Sequence, residues 1–214
     1  MSVSGLCLQL DVGNTSAKWR LVNGNEVNGR GDYQPNDESS QQRLLSCSES
    51  LDHIWISSVT APASELLLSR LLENQWGIVP WFARSQACTA SLINSYSDPS
   101  RMGVDRWLAM LGARERKKSR VCVIDAGSAL TVDIVSAAGR HEGGYIIPGV
   151  ALMERALLLD TDRVRFDEDV GPALTPGTST GQAVRHGIAL AQAGAVALAL
   201  DQAGSEPIAL LFCG

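Results

Sequence analysis

The sequence predicts an α/β protein built from two similar halves. Two observations favour this fold class: strand-like and helix-like apolar stretches alternate along the chain, and one short motif occurs twice. Each copy is an apolar strand ending in Asp, then x-Gly and small or polar residues, then a second apolar strand; the copies read LQLDVGNTSAKWRLV and CVIDAGSALTVDIV. Copies this far apart indicate a duplicated domain rather than a solenoid, whose repeats recur every ~20–50 residues. We therefore expect the halves to be residues 1–118 and 119–214.

The elements of the first half follow from its apolar pattern. Strands are expected where short apolar runs end at turn residues, and helices where leucines recur at three- and four-residue spacing. The polar stretch 28–42, with its glycines and its proline, is expected to be a surface loop. The predicted strands are 6–10, 19–22, 53–59 and 79–83, and the predicted helices are 63–74 and a segment from Gly103 to the basic residues 116–118.

The second half begins with a predicted strand at Val121 and a second strand after the Asp125 turn. The glycines and proline of 143–149 are interpreted as residues that shape a turn. The Ala-rich stretch 187–200 is expected to be a buried helix, because Gln192 interrupts it and it falls short of the ~18 apolar residues that suggest a membrane span.

Composition narrows the function classes. The chain has 214 residues, a formal net charge of −5, 45% hydrophobic residues and 5% aromatic residues. This argues for a globular core and against a basic nucleic-acid-binding or membrane-binding surface. Five scattered cysteines without a CxxC pair, and no basic residue before Lys18, predict reduced thiols and a cytoplasmic location rather than secretion.

The chemistry of the repeated turn suggests a phosphate site. A glycine lets backbone N–H groups approach phosphoryl oxygens, a lysine adds positive charge, and a carboxylate beside phosphate requires a cation such as Mg²⁺ between them. A single such turn would more often be an ordinary hairpin, but two matched copies favour the functional interpretation. The predicted phosphate loop comprises Asp11, Val12, Gly13, Asn14, Thr15, Ser16, Ala17 and Lys18.

Hairpin-linked strands with a D-x-G turn in each half resemble the actin-like ATPase superfamily. Five motifs in series narrow the resemblance to the type III pantothenate kinases, the family that includes the Bvg accessory factor proteins. They are DVGNTSAKW at 11–19, GVDR at 103–106, DAGSALTVD at 125–133, GGYIIPG at 143–149 and TxxAxxxG at 180–187. The resemblance implies two ribonuclease-H-like halves with a nucleotide cleft between them, and a homodimer formed through the second half.

The resemblance also implies an activity: ATP-dependent phosphorylation of pantothenate to 4'-phosphopantothenate, the first step of coenzyme A biosynthesis. It assigns Asp105 as general base, Asp125 as the ligand of a monovalent cation (potassium or ammonium), and Ser128 as a further ATP contact. Asp11 would hold Mg²⁺ through water. The implied pantothenate site comprises Tyr96, Gly103, Val104, Asp105, Arg106 and Thr180.

Asp105 and Arg106 can also be judged by their chemistry. A carboxylate within hydrogen-bonding reach of a primary alcohol aligns it and accepts its proton, and a guanidinium can pair with the carboxylate of pantothenate. The plainer interpretation is a surface ion pair at a helix start. Thr180 could equally be a helix N-cap, and Asp133 could orient a loop.

The sequence differs from the family pattern at two places, and two alternative functions are considered. The family usually has Thr where Ser128 stands, and the chain ends at residues 210–214, where a Gly-Gly turn and a closing helical segment are expected. A non-catalytic nucleotide-binding regulator is the main alternative function, and a phosphatase of the same superfamily is a third. Intact Asp11, Lys18, Asp105 and Asp125 favour the kinase.

Overall fold

The computed structural model describes residues 5–13, 16–160, 164–166 and 169–213. The chain divides into two compact units. Unit 1 consists of Met1–Ser85 and Ser100–Asp105, and unit 2 of Gln86–Pro99 and Arg106–Gly214. This division by compactness places most of the helix after Gly103 in unit 2, whereas the halves 1–118 and 119–214 that the repeated motif predicts remain a prediction.

Unit 1 holds a five-stranded mixed sheet. Its elements are β1 (Leu6–Val12), β2 (Ala17–Asn23), β3 (Glu26–Tyr33), α1 (Glu38–Leu45), β4 (His53–Ser58), α2 (Pro62–Trp76) and β5 (Trp81–Phe82). The strand order is β3-β2-β1-β4-β5, with β1 antiparallel to β2 and parallel to β4. The strands predicted at 6–10, 19–22, 53–59 and 79–83 and the helix at 63–74 are all present, within a few residues of the predicted bounds.

The core of unit 1 forms because apolar side chains alternate along the two central strands. Leu8 and Leu10 of β1, like Ile54 and Ile56 of β4, are buried, whereas residues between them are less so. Such alternation places one face of the sheet against the helices. Helix α2 begins with Pro62 in its first turn and ends at Gly77, which has the left-handed conformation (φ 69°) common at helix ends.

One segment of unit 1 differs from its prediction. Residues 28–42 were expected to be a loop, but they contain most of β3 and the start of α1. The glycines fit in the strand because the indole of Trp19, on neighbouring β2, packs over them and leaves no room for a larger side chain at Gly31. A Cβ on Gly31 would lie 2.6 Å from Trp19 Cζ2. The glycines that suggested a loop therefore make room for a side chain on the next strand.

Unit 2 contains a four-stranded sheet with the order β10-β9-β8-β11. Its longer elements are α3 (Val104–Arg116, continuing from unit 1), β8 (Val121–Ala126), β9 (Ala129–Val135), β10 (His141–Pro148), α4 (Val150–Asp160), α5 (Thr180–Gln202) and β11 (Ala209–Cys213). Before them come the two-residue strands β6 (Cys88–Thr89) and β7 (Leu92–Ile93). Strand β8 is antiparallel to β9 and parallel to β11, and its core residues include Cys122 and Ile124.

Helix α5 was correctly predicted as a helix, but the expectation that it is buried was wrong. It extends from Thr180 to Gln202, and its buried residues are Gly181, Ile188 and Ala199, whereas Leu190 and Leu198 are 58% and 60% exposed. By length and composition it could cross a membrane, although core helices of globular proteins pass the same test. The helix thus presents an apolar surface outside its own unit's core.

Candidate active site

The first repeated turn joins β1 to β2. Asp11 is exposed near the end of β1, directly opposite Lys18 on β2, and the backbone N–H of Gly13 donates to the carbonyl of Ser16 (3.0 Å). A carboxylate and a lysine therefore flank the segment that begins at Gly13, and its role as a phosphate loop stays a prediction. Asn14 and Thr15, which the prediction also names, lie outside the described residues.

The sequence analysis missed a second polar group beside this turn. Strand β4 lies parallel to β1 and places Ser57 opposite Asp11 and Ser58 opposite Val12. The Ser58 hydroxyl is 2.9 Å from that of Thr60, and the N–H of Val59 donates to the carbonyl of Val12 (3.1 Å). Hydroxyl groups at the carboxyl end of a parallel strand are well placed for a ligand. The polar end of an otherwise apolar strand was the available signal.

The second repeated turn joins β8 to β9 through Gly127 and Ser128. The N–H of Gly127 donates to Ala129, and the carbonyl of Ser128 accepts from the N–H of Gly149 (both 3.0 Å). Asp125 is partly buried and stands between Thr131 of β9 and Cys213 of β11 in the strand register. Its charge and, more strongly, burial raise the pKa of the Cys213 thiol.

The second turn offers few side chains that could hold a metal. Among the described residues, no group of three or more His, Cys, Asp or Glu side chains is placed to hold a metal. What the turn offers near Asp125 is one carboxylate with hydroxyl and carbonyl oxygens. Such a donor set lacks the multiple carboxylates of a Ca²⁺ site and the softer ligands of a Zn²⁺ site.

Asp105 lies in the first turn of α3, after a 3₁₀ turn at Pro99–Arg101. Asp105 is exposed, whereas the preceding residue, Val104, is buried and only 6% exposed. Ser85 Oγ donates to the Met102 carbonyl (2.9 Å), which fixes the segment leading into the helix. The helix start thus presents the Asp105 carboxylate to solvent from an anchored backbone.

Arg106 is not part of a surface ion pair, and that plainer interpretation was wrong. The residue is only 4% exposed, and its Nε and Nη2 donate to Oδ2 and Oδ1 of Asp133 at 2.9 and 2.5 Å. Asp133 is 1% exposed and lies on β9. A paired contact to a second carboxylate through the same guanidinium edge would require breaking this ion pair.

Three further side chains complete a network around this ion pair. Arg106 Nη1 donates to the Tyr96 hydroxyl (2.9 Å), His141 Nε2 lies 3.0 Å from Asp133 Oδ1, and His141 Nδ1 lies 2.8 Å from Ser95 Oγ. His141 is 1% exposed, whereas Tyr96 is half-buried. The network therefore connects a buried charge pair to a phenol that reaches the surface.

The pKa shifts in the network follow from its contacts. Burial by itself would raise the pKa of Asp133, but hydrogen bonds from His141 and Arg106 outweigh it and hold that pKa below its ordinary value. For Arg106, burial opposes the charged form, yet contact with Asp133 and Tyr96 leaves its pKa raised. Both groups are thus charged in the folded unit at neutral pH.

The glycines of the fourth motif were expected to shape a turn, but Gly143 and Gly144 lie within β10. Gly143 has φ 134° at a β-bulge. A Cβ on Gly144 would collide with Asp133 Oδ1, and it would lie 2.5 Å from the carbonyl of Val132 and 2.8 Å from Arg106 Nη2. Gly144 is therefore the residue that leaves room for the ion pair.

Thr180 is exposed at the first position of α5, and it is not the N-cap. The N-cap is the preceding residue, Ser179, whose side chain accepts from the N–H of Gln182. The Gln182 side chain in turn accepts from the N–H of Thr178 (2.9 Å). The Thr180 hydroxyl is therefore not required for capping.

Among the predicted substrate-site residues, the structure brings Tyr96 and Arg106 into direct contact. Gly103 and Val104 lead into α3 beside Asp105. Sequence reasoning missed Asp133 as the ionic partner of Arg106 and His141 as a partner of Asp133, because Asp133 was interpreted as a loop-orienting residue and His141 carried no motif.

Comparisons with known proteins agree on one family. The model of the type III pantothenate kinase family matches residues 7–202. The chain is 40% identical over 180 residues to a type III pantothenate kinase of Marinobacter nauticus, covering 84% of this chain and 74% of that protein. A type III pantothenate kinase of Hahella chejuensis is 35% identical over 179 residues, which cover 83% of this chain and 73% of that protein.

Solved structures resemble the chain in fold. A Campylobacter jejuni protein described as a Baf family transcriptional activator superposes with a TM-score of 0.55 at 20% identity, covering 94% of this chain and 80% of that one. A Sinorhizobium meliloti protein described as a 2-dehydro-3-deoxygalactonokinase has a TM-score of 0.56 at 11% identity, covering 97% and 86%. At these identities the likeness concerns the fold alone.

Proposed function

The chain belongs to the type III pantothenate kinase family, and on that basis we propose how its residues carry out the ATP-dependent phosphorylation of pantothenate that begins coenzyme A biosynthesis. The observation that carries the proposal is the exposed carboxylate of Asp105, held at the anchored start of α3. A coupled assay of ADP release tests it. ADP should form only when ATP and pantothenate are both present, and pantothenate-independent ADP release would instead indicate a phosphatase-like ATPase.

We propose that the chain is a duplicated pair of ribonuclease-H-like halves that clamp the nucleotide. The matching strand orders support the duplication: in β3-β2-β1-β4 and in β10-β9-β8-β11, the strand that ends in the repeated Asp has its hairpin partner on one side and a parallel strand on the other. Residues 11–18 would contact the ATP phosphates, with Ser128 as a further contact. Mg²⁺ bound through water to Asp11 would offset phosphate charge.

In the proposed reaction, Asp105 aligns the primary hydroxyl of pantothenate and accepts its proton as the oxygen bonds to the γ-phosphorus of ATP. The bond from that phosphorus to the β–γ bridging oxygen breaks, and ADP leaves with the electron pair. Tyr96, Gly103, Val104, Arg106 and Thr180 would surround the pantothenate. Asp105 and Thr180 are exposed and Tyr96 is half-buried, which supports their access to a ligand.

Asp125 is proposed to hold a potassium or ammonium ion, which would neutralise its carboxylate and offset phosphate charge. The carboxylate of Asp125, opposite Thr131 in the strand register, supports this choice. We expect the rate with ATP, Mg²⁺ and pantothenate to be about tenfold higher in potassium than in sodium, which corresponds to ~1.4 kcal/mol of transition-state stabilisation. Asp125→Asn should remove most of that difference and raise KM for ATP.

The control for this prediction is Asp201→Asn. It neutralises another exposed carboxylate of unit 2, in the last turn of α5. Its potassium response should match that of the wild type. Equal wild-type rates in sodium and potassium would assign Asp125 to the water shell of Mg²⁺ instead.

A homodimer through the second half is also proposed. The exposed apolar side chains of α5, including Leu190 and Leu198, support it because a surface of this kind is usually covered by protein. Sedimentation at micromolar concentration should give twice the mass of one chain, and Leu198→Glu should shift the protein to monomer. A wild-type monomer under these conditions would contradict the proposal.

The alternative of a non-catalytic nucleotide-binding regulator is not favoured, since the relatives are named as kinases. The cysteines, all five of which lie within the described residues and are free thiols, are consistent with the proposed cytoplasmic location. Nucleic-acid and membrane partners form no part of this proposal.

A further inference from the structure

Two members of the charged network beneath Tyr96, Asp133 and His141, have no role in the reaction as proposed so far. Arg106, Asp133 and His141 are each 4% exposed or less. Burying an ion pair is costly and is often no better for stability than apolar packing. A protein that keeps such a pair next to a predicted substrate residue therefore invites a functional explanation.

The geometry of the network points in one direction. Asp133 accepts hydrogen bonds from Nε and Nη2 of Arg106. Nη1 is the remaining donor group, and it donates to the Tyr96 hydroxyl at 2.9 Å. The guanidinium carbon lies 5.9 Å from the Tyr96 ring centre, and the His141 ring centre lies 6.2 Å from it. Arg106 thus holds the hydroxyl of Tyr96, and His141 lies beside its ring.

One tautomer of His141 satisfies both of its side-chain contacts. An ionised Asp133 beside a charged Arg106 is neutral as a pair, and its Oδ1 can accept from His141 Nε2–H. Nδ1 of a neutral imidazole then accepts from the Ser95 hydroxyl (2.8 Å). Every polar atom in this chain of contacts thereby has a partner of the correct kind, and Ser95 directly precedes Tyr96.

The backbone around Tyr96 is anchored as well. The N–H of Tyr96 donates to Asn94 Oδ1 (3.0 Å), and Asn94 is 8% exposed and donates to the carbonyl of Gln86 (3.2 Å). Backbone, hydroxyl and ring of Tyr96 are therefore all constrained, although the residue itself is half-buried and reaches solvent. Immobilising a surface phenol in this way lowers the entropy that a ligand would otherwise have to remove.

We infer that Asp133 and His141 are positioning residues for pantothenate: they orient Arg106, which fixes Tyr96 in the conformation that receives the substrate. The inference rests on the proposed function, because it assigns the network to the pantothenate site of that reaction. It assigns to Arg106 the role of holding Tyr96, in place of a paired contact with the pantothenate carboxylate.

The test is a double-mutant cycle on kinetic constants. Asp133→Asn and Tyr96→Phe should each raise KM for pantothenate about tenfold, the usual size of a lost hydrogen bond to a charged or positioned group. KM for ATP should stay within twofold. The double variant should also show about a tenfold rise, because Asp133 acts through Tyr96. A hundredfold rise in the double variant, or an equal change in KM for ATP, would overturn the inference.

Two further variants separate positioning from folding. Ile134→Val lowers the packing of the same strand on its opposite face without touching the network, and it should leave both KM values unchanged. If Asp133→Asn does not fold, His141→Gln keeps a donor for Asp133 and should raise only KM for pantothenate, about threefold. An unchanged KM for pantothenate in a folded His141→Gln protein would then contradict the inference.

A substrate-free measurement keeps this inference distinct from the proposed function. If the wild type does not phosphorylate pantothenate, the proposed function fails, and the pantothenate role fails with it. The NMR signal of the Arg106 Nε–H shows separately whether Asp133 fixes the guanidinium. In the wild type the Nε proton should exchange slowly with water, and in Asp133→Asn its exchange rate should be at least tenfold higher. Comparable exchange in the two proteins would overturn the orienting role by itself.

Discussion

Replacing Asp105 by Asn is expected to lower kcat by ~10²–10⁴ while leaving the fold intact, because loss of a general base typically costs that much. Asn has the same size and can still hydrogen-bond a hydroxyl, but it cannot accept the proton. The residue is exposed in the first turn of α3, so the core contacts of Val104 should persist. Steady-state kinetics and circular dichroism of the purified variant measure the two effects.

The matched control is Glu115→Gln, which removes an exposed carboxylate from the same helix, where Glu115 pairs with Lys118 at 3.4 Å. An exposed pair at this spacing contributes at most about 0.5 kcal/mol, so its activity and stability should remain close to those of the wild type. Near-normal turnover in Asp105→Asn would leave Asp105 as a residue that only aligns the hydroxyl.

Gly144→Ala is expected to destabilise the protein by about 3 kcal/mol or more, because it forces apart a buried ion pair. The new methyl group would occupy space taken by Asp133, Arg106 and the Val132 carbonyl, and the last is backbone that cannot rotate away. The free energy of unfolding from urea titration measures this loss. KM for pantothenate should also rise in whatever fraction remains folded.

Gly112→Ala is the control for that substitution. Gly112 lies inside α3, and a Cβ there would meet nothing within 4 Å. Replacing glycine by alanine within a helix usually stabilises it by roughly 0.5–1 kcal/mol. The two variants add the same methyl group, so opposite signs would isolate the effect of the ion pair. A Gly144→Ala protein as stable as the wild type would show that β10 shifts to accommodate the methyl group.

The sequence predicted the strands and helices well where local pattern and local turns decide the structure. The hairpins after Asp11 and Asp125 form because a glycine-containing turn joins two apolar strands that are adjacent in sequence. It failed at β3, because the Trp19 side chain that lies over Gly31 comes from a neighbouring strand. It also failed on the burial of α5, because composition reports apolar content and not which surface is covered.

The candidate site divides in the same way. The GVDR motif named Asp105 and Arg106, and the family resemblance added Tyr96, but no local pattern connects Arg106 to Asp133 or Asp133 to His141. Those contacts depend on the packing of α3, β9 and β10 in unit 2. Buried charged residues therefore had to be found from their partners in the structure, and Asp133 in particular looked like an ordinary polar residue of a motif.

The network around Asp133 also has a consequence for the order of folding. Two sets of its bonds join residues far apart in sequence: 27 positions separate Arg106 from Asp133, and 46 separate Ser95 from His141. The β8–β9 hairpin closes a two-residue loop, whereas these bonds require much longer loops to close and therefore a larger entropic cost. Tyr96 should accordingly become fixed late, so that Asp133→Asn accelerates unfolding far more than it slows refolding. A newly made chain would form the β8–β9 hairpin before it could fix Tyr96 in the proposed pantothenate site.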